Sequence, residues 1–201
     1  KKIFNELRTS EEYAKYMTDP GRSFEEGQDF IMAFFKDKIA NGETVLNYLE
    51  ETSINWVDDI DLVCATVLKT IKGFKESDNE FAALSDLYKD KEEDEKFVRD
   101  LFRKSILQSQ ENEDIISSKT ENWELERIAS MDMLLMKMAI TEVREFSTIP
   151  VKVTLNEYIE ISKFYSTPRS NGFINGILDK VFLELKKEGK IKKIGRGLIE
   201  N

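Results

Sequence analysis

Three prolines and nine glycines are the only backbone punctuation in this 201-residue chain. A strand-and-turn architecture needs far more, so the sequence points to long helices. The apolar spacing agrees. Ile60, Val63, Cys64, Val67, Leu68, Ile71 and Phe74 recur at intervals of three and four, which predicts one apolar helix face. Ser23 and Glu26 form an S-x-x-E capping box ahead of Phe30, Ile31, Phe34 and Phe35, with Asn41-Gly42 as a left-handed stop. A helix is also predicted over 4–17 and a shorter one over 44–51. The charge-dense stretch 75–96 reads as a loop entering the acidic start of a helix that carries Phe97, Val98, Leu101, Phe102 and Ile106.

Further helices are predicted over 124–146, over 155–165 with Thr154 and Glu157 as a second capping box, and from Ser170, read as a cap, through Leu185. Met131, Met133, Met136 and Met138 read as core filling, since methionine adapts to irregular gaps. Ile149-Pro150 must be extended. The basic, glycine-punctuated tail 191–201 reads as poorly ordered. No convincing strand or internal repeat is present, so the expected fold class is all-α, a helical bundle. The expected division is 1–96, 97–190 and the tail.

Composition narrows the chemistry. The chain has no histidine, which removes Ser-His-Asp and Cys-His catalysis and the usual histidine-containing metal sites. No glycine-rich phosphate loop is found. Its single cysteine, Cys64, rules out an intramolecular disulfide and suits a reducing cytoplasm. On an apolar stripe, Cys64 reads as a small hydrophobe. No stretch approaches the roughly 20 apolar residues of a membrane span. Composition thus points to a cytoplasmic protein without a histidine-based catalytic or metal site, and it leaves a carboxylate enzyme open, though nothing pairs the carboxylates recognisably.

The net charge of −9 is unevenly spread. After Pro150 ten lysines and arginines face six acids, a local +4 that leaves −13 on the rest. Such asymmetry permits a local surface for nucleic acid or an acidic partner.

Several oddities escape amphipathicity. Asn156 and Asn175 lie in helical stretches, and Gly176 sits mid-helix at a cost of about 1 kcal/mol against alanine. They read as structural: buried amides, and a glycine that lets a neighbouring helix approach. Trp123 and Arg127, four apart, are placed to stack on each other. The pieces NWELERIASMD (122–132), AITE (139–142), IPVKVTLNEYIEISKFYS (149–166) and S-x-x-FINGILDK (170–180), taken in order, resemble the NusB family. About a third of the chain carries the resemblance, and 97–121 fits as the helix preceding it.

The resemblance implies a bundle of two helical subdomains that acts in transcription antitermination and not as an enzyme. It implies binding to boxA-like single-stranded RNA, pairing with the ribosomal protein NusE, and action on elongating RNA polymerase at ribosomal RNA operons. Carried over residue by residue, Ser170 and Phe173 lie on an RNA-facing turn, where Phe173 could stack on a base or belong to the core. Lys152 and Lys180 would contact phosphates, as could Arg169 in the turn T-P-R-S (167–170), where relatives commonly carry acidic residues. Asp132 and Glu142 would face NusE. The family's arginine-rich first helix has no counterpart in residues 1–22, which hold only Lys1, Lys2, Arg8, Lys15 and Arg22. An enlarged variant whose N-terminal segment lies upstream is therefore expected. Two other readings stay open: a NusB-like domain associated with ribosomal RNA methylation, and a protein–protein interaction module without RNA binding.

Overall fold

The computed structural model describes residues 1–84, 86, 88–120 and 128–198. Among them every regular element is helical, so the protein is all-α. Two compact units divide the chain at Leu87/Tyr88. The expected boundary at 96/97 would have cut a continuous helix, Lys91–Leu107. Trp123, Leu125 and Arg127 lie outside the described residues.

The first unit holds α1 (Lys2–Arg8), α2 (Glu11–Thr18), α3 (Phe24–Phe34), α4 (Glu43–Thr52) and α5 (Trp56–Gly73). The predicted 4–17 helix is two, because Ser10 accepts a hydrogen bond from the Tyr13 amide and starts a second helix. The Ser23–Glu26 capping box forms as expected. Asn41-Gly42 is not a left-handed stop. Helix α3 widens into a π-helical turn over Phe35–Ala40, and Gly42 (φ −84°) precedes α4. Glycine is needed there because a Cβ would lie 2.3 Å from the Lys38 carbonyl oxygen. Gln28 on α3 donates to the carbonyls of Ile71 and Phe74 at 2.8 and 3.0 Å, closing the end of α5. The Tyr16 ring stacks on Phe30 at 4.2 Å and carries the Arg22 guanidinium on its face. None of this unit's described residues is fully buried. The expected face of α5 is only half-covered, with Cys64 half-buried and Val63 exposed.

The second unit holds α6 (Lys91–Leu107), α7 (Ser109–Ser117), α8 (Ser130–Glu145), α9 (Val151–Tyr165) and α10 (Ser170–Lys187). Asp90 caps α6 by accepting from the Glu93 amide, and Glu92, Glu93 and Asp94 follow in its first turn, as the dipole favours. Helix α8 is the centre of the unit, with α6, α7, α9 and α10 packed around it. Buried residues follow one another without a break from Ala139 to Val143, with Asp132, Leu135 and Met136 buried before them and Leu134 exposed. Met136 is fully buried, and Met131, Met133 and Met138 pack partly buried against the same core, as expected of gap-fillers.

The polar residues that bind helices to α8 escaped the sequence reading. Asn112 is fully buried. Its amide donates to the Lys137 carbonyl and to Thr141, and its oxygen accepts from Arg144. Glu145 accepts from Lys104 and Gln108 of the α6 side, and these hydrogen bonds hold its carboxyl below the usual range.

Two helix starts differ from expectation. Helix α9 begins at Val151 behind Pro150, so Thr154 lies inside the first turn and caps nothing. Helix α10 begins at Ser170, whose hydroxyl turns back toward the preceding turn.

The described part of the tail, 191–198, corrects a larger expectation: it is docked. Gly189 (φ +69°) ends α10 in a Schellman turn, with the Lys190 amide donating to the Leu185 carbonyl and the Gly189 amide to Lys186. The reversed chain then runs back to the loop after α8. The Ile194 amide donates to the Ser147 carbonyl at 3.0 Å, and the Lys193 ammonium to the Phe146 carbonyl at 2.9 Å. A 3-10 turn, Gly195–Leu198, closes it with Gly197 buried. A Cβ on Gly197 would stand 2.0 Å from the Ser147 carbonyl oxygen, backbone against backbone. Gly197→Ala must push the two segments apart, at about 1–3 kcal/mol. The Ile194 amide proton should then exchange about 5- to 150-fold faster. Unchanged exchange by NMR would show that the tail is not held there.

Candidate nucleic-acid interface

Helix α10 presents an uncommon surface. Arg169 at its cap, then Phe173, Gly176 and Lys180, recur at four, three and four, so they share one side of the helix. Arg169, Gly176 and Lys180 are exposed, and Phe173 is half-buried, packing one side against the core. The expectation that Gly176 admits a close helix is overturned. Nothing lies within 4 Å of where its Cβ would be, nor at Gly172. Gly176, mid-helix at about 1 kcal/mol, and Gly172, in the first turn, therefore face open space on the helix that carries Phe173 and Lys180. Asn175 is half-buried and Asn156 exposed, so Asn156 is not the buried amide expected.

Lys152 does not join this stripe. It stands exposed in the first turn of α9, beside two grooves that take in none of Arg169, Phe173 and Lys180. One groove runs between α9, α10 and the tail. The other lies between the start of α6 and α9, lined by Glu93, Phe97, Phe146, Pro150 and Asn156.

Three candidates prove internal. Ser170 is 2% exposed and Asp132 5%. They are joined in one chain: the Ser166 hydroxyl reaches both Asp132 and the Ser170 oxygen, and Ser170 accepts from the Thr167 amide at 3.2 Å. This chain ties the head of α8 to the Ser166–Ser170 turn, so both residues shape the turn from behind. Glu142 is 6% exposed, its carboxylate accepting from Thr154 at 2.7 Å and Tyr158 at 3.1 Å. A surface role for these three is corrected by their burial: each is spent on contacts within the unit.

Burial raises the Glu142 carboxyl above its ordinary 4.5, against the pull of the Thr154 and Tyr158 hydroxyls and the Lys193 charge. Burial likewise lowers Lys193 and raises Tyr158. A raised carboxyl pKa means the folded state holds the proton longer than the unfolded chain. The stability this contributes is complete below about pH 4.5 and is lost as pH rises through the folded value. Glu142→Gln removes that titration. Its stability relative to the parent should therefore improve from pH 4 to pH 8, read from urea midpoints. Parallel pH profiles would contradict the raised carboxyl.

Among the described residues no group of three or more potential ligands could hold a metal ion, and no helix is long and apolar enough to cross a membrane. Comparison with known proteins gives the family directly. The NusB family model matches residues 62–182, more than half of the chain. The transcription antitermination protein NusB of Salinibacter ruber is 46% identical over 103 residues, 51% of this chain and 64% of that protein. That of Chloroherpeton thalassium is 41% identical over 104 residues, 52% of this chain and 49% of that protein. A solved structure of T. maritima NusB shares 26% identity over 72% of this chain and 89% of its own, with a TM-score of 0.45. The matched stretches thus span less than two thirds of the curated relatives.

Proposed function

The chain belongs to the NusB family, and from that premise we propose that it is a transcription antitermination factor. In this reading it binds boxA-like single-stranded RNA together with the ribosomal protein NusE and acts on elongating RNA polymerase in the cytoplasm. Both curated relatives bear the antitermination name. The observation that carries the RNA reading is the open stripe on α10. Gly176 leaves that side of the helix open between Phe173 and Lys180, since nothing lies within 4 Å of where its Cβ would stand.

Single-stranded RNA is read by stacking unpaired bases on aromatic faces while cations hold the phosphates. Phe173 supplies the ring, Arg169 and Lys180 flank it, and Lys152 adds a cation on α9. Ser170 and Asp132 act behind the turn, fixing where Arg169 and Phe173 stand. Glu142 secures α8 to α9, so the partner-facing role assigned to it and to Asp132 becomes one of shaping the surface NusE would meet. The reading needs no cofactor and no catalytic step.

Phosphate contacts leave a signature in salt. In filter binding with a boxA-like oligonucleotide, Arg169→Ala and Lys180→Ala should each weaken affinity. Each should also flatten the dependence of log K on log salt by about one. Slopes unchanged in both variants would remove α10 from the RNA interface.

A further inference from the structure

Gly176 stands between the ring and the far cation of the α10 stripe. At about 1.5 Å per residue along a helix axis, it lies about 4.5 Å beyond Phe173 and about 6 Å before Lys180. No described atom comes within 4 Å of where its Cβ would be, and its φ is outside the left-handed region. An alanine there would meet no described neighbour and no backbone strain, and it would strengthen the helix. Glycine at this place costs helix stability, and neither its conformation nor packing among the described residues asks for it. A body from outside that comes closer than a side chain allows does ask for it, since glycine is the residue that lets a ligand approach backbone.

We propose that Gly176 is where the sugar–phosphate backbone of bound RNA passes closest to α10. The inference rests on the RNA reading of the stripe. A base stacked on Phe173 and a phosphate held by Lys180 belong to one strand, so the backbone that links them crosses the helix at Gly176. A side chain there would hold the strand off the helix and cost one of the two contacts. The charge around the opening favours a polyanion over a protein helix. Arg169 and Lys180 border it, both exposed and neither in an ion pair among the described residues. Between them the exposed residues are Gly172, Gly176 and Asp179, so one acid stands against two cations.

The test compares the full chain with Gly176→Ala, Gly176→Gln and a control, Gly73→Ala, whose glycine is equally open but ends α5. Urea midpoints and filter binding of a boxA-like oligonucleotide are read for each. Both Gly176 variants should unfold at higher urea than the parent. They should nevertheless bind RNA more weakly, Gly176→Ala by about tenfold and Gly176→Gln by more. The slope of log K against log salt should stay that of the parent, because no charge changes. That separates this loss from those of Arg169→Ala and Lys180→Ala. Gly73→Ala should bind RNA as the parent does. Parent-like RNA binding by both Gly176 variants would overturn the inference and leave the roles of Arg169, Phe173 and Lys180 standing. A lowered urea midpoint would also overturn it, since α10 would then be approached from within the protein. So would an equal loss in Gly73→Ala, or a loss seen only with NusE present, which would assign the close approach to the protein partner. A parent that does not prefer boxA-like RNA would remove the RNA reading itself, and this inference with it.

Discussion

Ile174→Ala should cost the second unit about 3 kcal/mol and lower its melting temperature by roughly 10–15 °C. Ile174 is 0% exposed and sits where α10 meets the core around α8. Truncation removes three carbons from a packed interior and leaves a cavity that rigid neighbours cannot fully close. The first unit should answer differently. Ile31, on α3, is half exposed, so Ile31→Ala loses little transfer energy and should cost under about 1 kcal/mol. Urea unfolding followed by hydrogen exchange checks both. The same contrast predicts faster exchange for amides of Lys1–Leu87, whose described residues include none fully buried. Equal costs for the two truncations would mean that the first unit owns a core of its own.

Phe173→Leu should weaken binding to boxA-like RNA by about 1–3 kcal/mol, a drop of roughly 5- to 150-fold, while stability changes little. Leucine keeps most of the apolar volume that packs against the core, so the fold loses less than about 1.5 kcal/mol. It has no π-face, so a base loses its stacking partner. Phe173→Ala would confuse these effects by removing both packing and ring. A leucine variant that binds RNA as the parent does would assign Phe173 to the core alone, the other reading its spacing allowed.

How far such residues could be read in advance depended on whether their role is local. Periodicity and capping are local, so the helices, the Ser23–Glu26 box and the acidic start of α6 were legible in the chain. Glu142 and Asp132 show the opposite case. An acid in a helix reads as surface until the fold brings Thr154, Tyr158 and Ser166 around it. Thr154 looked like a cap because T-x-x-E is the signature of one, but Pro150 had already set the helix start three residues earlier. Gly197 carried a usable signal that was misread. A glycine in a basic tail suggests disorder, yet here it permits backbone to touch backbone at Ser147, a contact no local pattern records. Gly176 misled in the other direction, since a mid-helix glycine more often admits a neighbour than faces open space.

Under the proposed function, boxA-like RNA is read through the stripe from Arg169 to Lys180. The most direct measurement is a competition between a boxA-like oligonucleotide and a scrambled one of equal length, with NusE present, across a salt series. A preference of at least about tenfold for the boxA-like sequence, weakening in absolute affinity as salt rises, is the expected result. Equal affinity for the two sequences at every salt concentration would contradict it.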